Sequence, residues 1–566
     1  MTGKAAQTIS LPIFAALALF PMLFLTLFFY FPLLSMLQEG FIEPTGHFTL
    51  RYLAAAVKEP YHQRVMLFTV KQACFSTILT LLIGMPGAYL VTKFEFPGKT
   101  LLKALTTVPF VLPPIIVSLG FILLFGNNGM LNAGLMRLLH LDAPPLRILY
   151  NLRAIVLAHA FYNFPVVVRF VSSVWARVDP NSEDAARSLG ASEWQVFRHV
   201  TFPMILPGII ASAALTFIFS FMSFAIVLVL GGVKFATVEV TIYTLMTVLL
   251  DYKMGSALAI LQSVFSLSFM YFYAHVLDLN AKTGRMASGR RAASAAVALR
   301  DLFTLRGLAV CAYLGLVLLL IVGPMLAVCW FSVTRHDGGA TQISFAAYHK
   351  IFTMKYHAIL GTTPLQSIRN SLFFGSMTVF CALPLGVCIA VLLTRAALPH
   401  KPFFDAVMML PLGMSSVSLG LGYVRSFHKP PLLISGTWYA IVFAHVILAY
   451  PFVMRSVAPL LRKITPNITE AAMSLGATRS KTFLFIELPM IAPGILVGAT
   501  FAFALSIGEM GATYLLYRPH LATMPIAMYR FLSSHDLVTA SAMGVLLMAV
   551  CAALFFCIER IGYSTF

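Results

Sequence analysis

Apolar runs long enough to cross a bilayer recur along this chain in two sets of six. The first set falls at roughly 11–36, 64–92, 105–126, 152–175, 205–230 and 253–277. The second falls at roughly 308–333, 369–394, 405–424, 438–458, 490–517 and 538–560. A hydrocarbon layer takes about 20 apolar residues per helix to span. With no water inside it, every backbone polar group must bond within the protein, so such runs become helices. The sequence therefore predicts an all-α polytopic membrane protein of about 12 transmembrane helices. Composition agrees, with 59% hydrophobic and only 10% charged residues, where soluble domains carry about 25% charged residues.

The net charge of +19 would suggest a nucleic-acid partner in a soluble chain. In a membrane chain, loop lysines and arginines fix topology and meet anionic lipid, so lipid is the expected partner and nucleic acid is not. The cysteines Cys74, Cys311, Cys329, Cys381, Cys388, Cys551 and Cys557 are scattered, mostly within apolar runs. They have no metal-ligand spacing and read as small buried hydrophobes. The run from Leu11 to about Met36 is too long for a signal-peptide core and reads as a retained first helix.

The two sets are a repeat. Asp184-Ala-Ala-Arg-Ser-Leu-Gly190 and Glu470-Ala-Ala-Met-Ser-Leu-Gly476 stand 286 residues apart. At that offset His159, Pro165 and Arg169 match His445, Pro451 and Arg455, and Tyr243 matches Tyr529. Upstream the offset grows to about 300, where Lys71 and Pro86 meet Arg369 and Pro384, because the first half has a longer loop around Gly126–Leu149. The division expected is a first unit over 1–279 (core about 64–277, polar loop 183–208) and a second over 308–566 (core about 367–560, polar loop 469–494). Between them 280–307 reads as a basic linker holding Lys282, Arg285, Arg290, Arg291, Arg300 and Arg306. An even helix count makes the repeats parallel, so both polar loops share a face. The basic linker, with Lys93, Lys99, Lys103, Arg395 and Lys401 at short turns, makes that face and both termini cytoplasmic.

Each polar loop has the marks of a compact knob. Pro180 and Pro466 are helix-start signals, and an acid in the first turn suits the helix dipole. Gly190 and Gly476 permit a turn that a side chain resists. A second amphipathic piece follows, with Trp194, Phe197 and Val200 in one copy and Phe483, Phe485 and Leu488 in the other. A charged knob kept twice at fixed spacing in an apolar chain points to docking of a soluble partner.

The second loop, Glu470-Ala-Ala-Met-Ser-Leu-Gly476 through Ile486-Glu-Leu-Pro489, resembles the EAA signature of ABC-importer permeases of the binding-protein-dependent type. The first departs from it, with Asp184 in place of Glu, Glu183 one position earlier and Phe202 in place of Leu. The resemblance covers nearly the whole chain as two fused permease units. It is similar to the thiamine branch and next to the ferric-iron branch. It implies the type I importer fold, with Glu183, Asp184, Ala185, Ala186, Gly190 and Ala191, and Glu470, Ala471, Ala472, Gly476 and Ala477, coupling to two copies of a cytoplasmic ABC ATPase. ATP and Mg would then sit on those partners, with no cofactor in this chain. It also implies a periplasmic or lipid-anchored binding protein and a bacterial inner-membrane location. Thiamine or its phosphates is the first expectation for the solute, with ferric iron, polyamine and phosphonate as alternatives.

No ATPase or other catalysis is expected in this chain. Gly98-Lys99-Thr100 ends like a phosphate loop, but Lys93 stands where its first glycine belongs, so the cradle of backbone donors is missing. No catalytic constellation is recognisable. Ionisable groups at membrane depth are costly and often functional. Glu509, with Ser506 and the matching Ser220 and Ser223, is therefore expected to line the translocation pathway; pairing of Glu509 with a neighbouring Arg or Lys is the alternative. A secondary transporter also uses internal repeats but has no use for two cytoplasmic knobs.

Overall fold

The computed structural model describes residues 11–43, 45–95, 99, 102, 112–232, 234–283, 295–296, 304–337, 340–395 and 401–562. Gly98, Thr100, Lys103, the start of the 105–126 run and the linker residues Arg285, Arg290, Arg291 and Arg300 lie outside them. Eleven helices among the described residues are long and apolar enough to cross a membrane. A twelfth span is broken: Val407–Gly413 and Ser416–Ser426 meet at 108°. The break follows from Pro411 and Gly413, and from Ser415, whose side chain accepts from the Ser418 amide at 3.2 Å and starts a new helix.

The helices pack as two units that cut across the sequence halves. Unit A holds Val57–Thr241 with Val264–Phe331, and unit B holds the described parts of Met1–Ala56 and Ser332–Phe566 with Ile242–Ser263. The helix at the head of each half therefore belongs to the unit built by the other half. In unit A, Tyr313 Oη donates to the Ile83 carbonyl at 2.9 Å. In unit B, Phe24 meets Phe443 edge to face at 5.7 Å, and Arg425 pairs with Glu39 at 2.6 Å. The division expected from sequence followed chain continuity. Membrane helices instead choose partners by close packing and hydrogen bonds, because lipid is as apolar as they are.

Unit A is organised by α1 (Pro60–Lys93), α2 (Leu152–Trp175), the short α3 (Pro180–Ser188) and α4 (Phe202–Phe221). Unit B repeats them as α5 (Pro364–Arg395), α6 (Trp438–Lys463), α7 (Pro466–Ser474) and α8 (Leu488–Gly508), followed by α9 (Gly511–Leu516), α10 (Met524–Ser533) and α11 (Leu537–Gly562), the first two of which stand at the repeat places of helices Ala225–Leu230 and Val238–Thr247. One close approach occurs in both. A Cβ on Gly84 would lie 2.6 Å from Val167, and one on Gly386 would lie 2.6 Å from Val453, so the first two long helices of each repeat touch at backbone distance. Cys74, Cys311 and Cys329 are exposed rather than buried. An apolar run can face lipid as readily as core, which hydropathy alone does not separate.

Candidate functional site

Both polar loops fold as the sequence predicts at their ends. Pro180 and Pro466 take the first helical position of α3 and α7. Asp179 caps α3, its side chain accepting from the Asn181 amide at 3.0 Å. Gly190 has φ +87° and Gly476 φ +89°. The Ala191 amide donates to the Ala186 carbonyl and the Ala477 amide to the Ala472 carbonyl, both at 3.1 Å. These are the long bonds of a Schellman turn, so four of the alanines expected to couple act here through their backbone.

Each turn lifts a leucine to the tip of the knob. Leu189 is 90% exposed and Leu475 89% exposed. Trp194 and Phe485, further along the same loops, are also largely exposed. Paired apolar tips on polar loops mark an interaction surface. Sequence reading missed the leucines; the available signal was an apolar residue directly before the turn glycine in both copies.

The two acids of the signature differ in their surroundings. Asp184 is exposed and pairs with Arg187 at 2.8 Å, and Arg187 also meets Glu193 at 2.8 Å. Glu193 foremost, and then Asp184, holds the Arg187 guanidinium above its ordinary value. Met473 stands at the place of Arg187 in the second copy. Glu470 is exposed and forms no ion pair among the described residues.

Beyond the turn both copies contain one π-helical turn, Phe197–Thr201 and Phe483–Glu487. Such bulges are rare and concentrate at functional sites. Each ends on a residue that fastens the loop to its bundle. In unit A, Glu183 is buried; it meets Lys93 at the end of α1 at 2.7 Å and accepts from Thr201 Oγ1 at 2.8 Å. In unit B, Glu487 meets Arg395 at the end of α5 at 2.9 Å, with both side chains buried. Glu183 is thus a clasp between loop and helix, and is turned away from any docking partner. Lys99 is also engaged, donating to Glu95 at 2.6 Å and to the Phe94 carbonyl at 2.9 Å.

Of the residues expected to line a pathway, Ser220, Ser506 and Glu509 are held in hydrogen-bond networks within their bundles. In unit A, the Ser220 carbonyl accepts from Gln72 at 2.8 Å, its hydroxyl accepts from Asn163 at 3.3 Å, and Ser76 pairs with His159 Nδ1 at 3.1 Å. In unit B, Ser506 pairs with His445 Nδ1 at 2.7 Å and with Thr378 at 3.1 Å. Glu509 accepts from the amides of Ala512 and Thr513, each at 2.9 Å, and from the Thr513 hydroxyl at 2.6 Å. His445 Nε2 lies 3.3 Å from the same carboxylate. Glu509 therefore caps α9 and partners a histidine, not the Arg or Lys considered as an alternative. Ser223, at the place of Glu509 in the first half, is half-buried. In a water-poor interior, buried polar groups satisfy one another before they can serve a solute.

The loops and their turns thus occur twice at one spacing, and each is clasped to its bundle by an ion pair. The family described as "Binding-protein-dependent transport system inner membrane component" matches residues 78–278 and again 366–561. The chain belongs to that family. Both matched stretches include one of the polar loops, so this permease carries two family domains in one chain. It is 25% identical to the thiamine transport system permease protein ThiP of Escherichia coli (strain K12) over 511 residues, covering 90% of each chain. It is 23% identical to the putative ferric transport system permease protein FbpB 1 of Haemophilus influenzae, covering 87% of this chain and 76% of that one. It is 28% identical to the putative 2-aminoethylphosphonate transport system permease protein PhnU of Salmonella typhi, covering 45% of this chain and 88% of that one.

Proposed function

We propose that this permease is the transmembrane subunit of an ATP-driven importer and that its solute is thiamine or a thiamine phosphate. Two copies of a cytoplasmic ABC ATPase, holding ATP and Mg, seat the knobs at Leu189 and Leu475 in their clefts. A periplasmic or lipid-anchored binding protein delivers the solute at the other face, and both termini lie in the cytoplasm. The observation that carries this reading is the pair of knobs, each with a bare leucine at its tip and an ion pair through a buried carboxylate at its root. A secondary transporter would have no use for them. When the ATPases close, each knob moves as a rigid body. The clasps Glu183–Lys93 and Glu487–Arg395 pass that motion to α1 and α5, which alternates access to the pathway.

Full-length likeness to ThiP supports thiamine as the solute. A ferric-iron importer is the second reading, supported by likeness to FbpB 1 over most of both chains. The test is calorimetric titration of the binding protein encoded alongside this chain with thiamine, thiamine pyrophosphate and ferric iron. Saturable binding of either thiamine compound is expected. Binding of iron alone would overturn the thiamine assignment while leaving the importer reading intact.

A further inference from the structure

Arg530 is a half-buried cation in an apolar bundle, and no carboxylate pairs with it among the described residues. Its Nη2 and Nε both donate to Tyr517 Oη, at 2.7 and 3.2 Å. Its guanidinium carbon lies 5.7 Å from the Tyr514 ring centroid. Tyr514 is in turn flanked by Tyr243 at 5.1 Å, Tyr529 at 5.4 Å and Tyr517 at 5.6 Å, the first two nearly perpendicular to it. Two phenols thus contact the guanidinium and two more back the Tyr514 ring, while Nη1 donates to no described residue.

The cluster lies away from the coupling loop of unit B. α5 ends at Arg395, which Glu487 holds at the loop. The start of α10 is tied to the second turn of α5, where Asn370 donates to the Ala522 carbonyl at 2.9 Å and Ser371 Oγ accepts from the Met524 amide at 2.8 Å. The cluster is also built once. Tyr243 and Tyr529 are repeat mates, but Leu228, Gly231 and Thr244 stand at the places of Tyr514, Tyr517 and Arg530.

We propose that Arg530 and Tyr517, backed by Tyr243, Tyr514 and Tyr529, form a solute-contact site for a phosphate- or phosphonate-type oxyanion. An unpaired guanidinium repels a bare cation, and its planar fork matches oxyanion geometry. The tyrosine hydroxyls add donors, and their rings offer flat faces to an aromatic solute. The site would select the phosphorylated forms of the solute; that consequence rests on the importer reading, whereas oxyanion binding does not. A lipid headgroup carries the same phosphate chemistry, so the test separates the two sources.

The purified full-length chain in a neutral detergent is titrated with inorganic pyrophosphate and followed by tyrosine fluorescence. A saturable change is expected for the wild type, weakened about tenfold in Arg530→Gln, as for one lost charge-assisted bond, and partly kept in Arg530→Lys. Added phosphatidylglycerol should leave the wild-type curve in place. No saturable change in the wild type, or equal curves for wild type and Arg530→Gln, overturns the site. Displacement of pyrophosphate by phosphatidylglycerol reassigns it to lipid and overturns the solute role. In proteoliposomes with ATPase and binding protein, Arg530→Gln should reduce uptake of thiamine pyrophosphate about tenfold and spare thiamine. Equal loss of both would overturn the selection. Absence of ATP-dependent uptake in the wild type would count against the importer reading, with the fluorescence result still deciding the site.

Discussion

The Glu183 carboxylate of the first polar loop lies 2.7 Å from Lys93 Nζ at the end of α1. In the second repeat Thr469 occupies the place of Glu183, and Glu487 the place of Thr201. The acid has moved from the short helix to the π turn, yet it still reaches the basic residue that ends the long helix, here Arg395 at 2.9 Å. The ion pair is kept while its sequence position is not, which argues that the link between loop and helix is what each repeat requires.

A transplant tests that claim. Glu183→Thr alone should uncouple ATP hydrolysis from uptake, because Lys93 loses its partner. Adding Thr201→Glu, which copies the second repeat into the first, should restore coupled uptake to within about twofold. Loss in the single variant without recovery in the double would mean that the position, and not the ion pair, matters.

The two clasps should differ in their contribution to stability. Arg395 and Glu487 are both nearly inaccessible, whereas Lys93 keeps a quarter of its side chain exposed. Removing one partner of a buried pair costs about 3–5 kcal/mol, far more than at an exposed pair. Glu487→Ala should therefore lower the detergent melting temperature more than Glu183→Ala does, read by differential scanning fluorimetry. Equal shifts would contradict the difference in burial.

Glu509 should behave as a structural cap. Glu509→Ala leaves the Ala512 and Thr513 amides without their side-chain acceptor, at about 1–3 kcal/mol for each buried group left unsatisfied. A marked drop in melting temperature is expected, with the KM of uptake unchanged in the protein that remains folded. A raised KM without a stability change would return Glu509 to the pathway.

Acid should loosen the end of unit B away from its coupling loop in two steps. His357 is held below its ordinary value by burial first and by Lys350 second, and packs edge-on against Phe531 at 5.1 Å. Its folded form prefers the neutral ring, so its contribution is present above about pH 6.5 and declines as pH falls below that. For Asp536 burial is the largest influence and acts upward, but the Lys350 ion pair and the Thr539 bonds outweigh it and leave the carboxyl lowered. That contribution is present above about pH 3.9 and is lost as pH falls through the lower folded value. Melting temperature against pH should fall first near 6.5 in the wild type, and His357→Gln should remove that step only. A wild-type curve flat from pH 7.5 to 5 would contradict this.

Much of the fold was legible because bilayer physics leaves few options: a run of apolar residues becomes a helix, and eleven did so unbroken. The coupling loops were legible because proline, glycine and an acid recur at one spacing. Partner choice was not legible. Nothing in the local sequence says that Tyr313 reaches Ile83, or that Phe24 packs on Phe443. The clasp was hidden for the same reason, since Lys93 and Glu183 are far apart in the chain and their counterparts do not align. The partners of Glu509 were hidden because hydropathy marks a buried carboxylate but not whether backbone amides already satisfy it.

The two knobs are proposed to receive the ATPase through their tip leucines. The most direct test is ATP hydrolysis by the co-expressed complex in proteoliposomes, stimulated by the solute-loaded binding protein, with Leu189→Asp and Leu475→Asp combined. Both side chains are almost fully exposed, so the permease should stay folded. Stimulation should be abolished and the ATPase should no longer co-purify. Stimulated hydrolysis at the wild-type rate by an intact complex would contradict that docking.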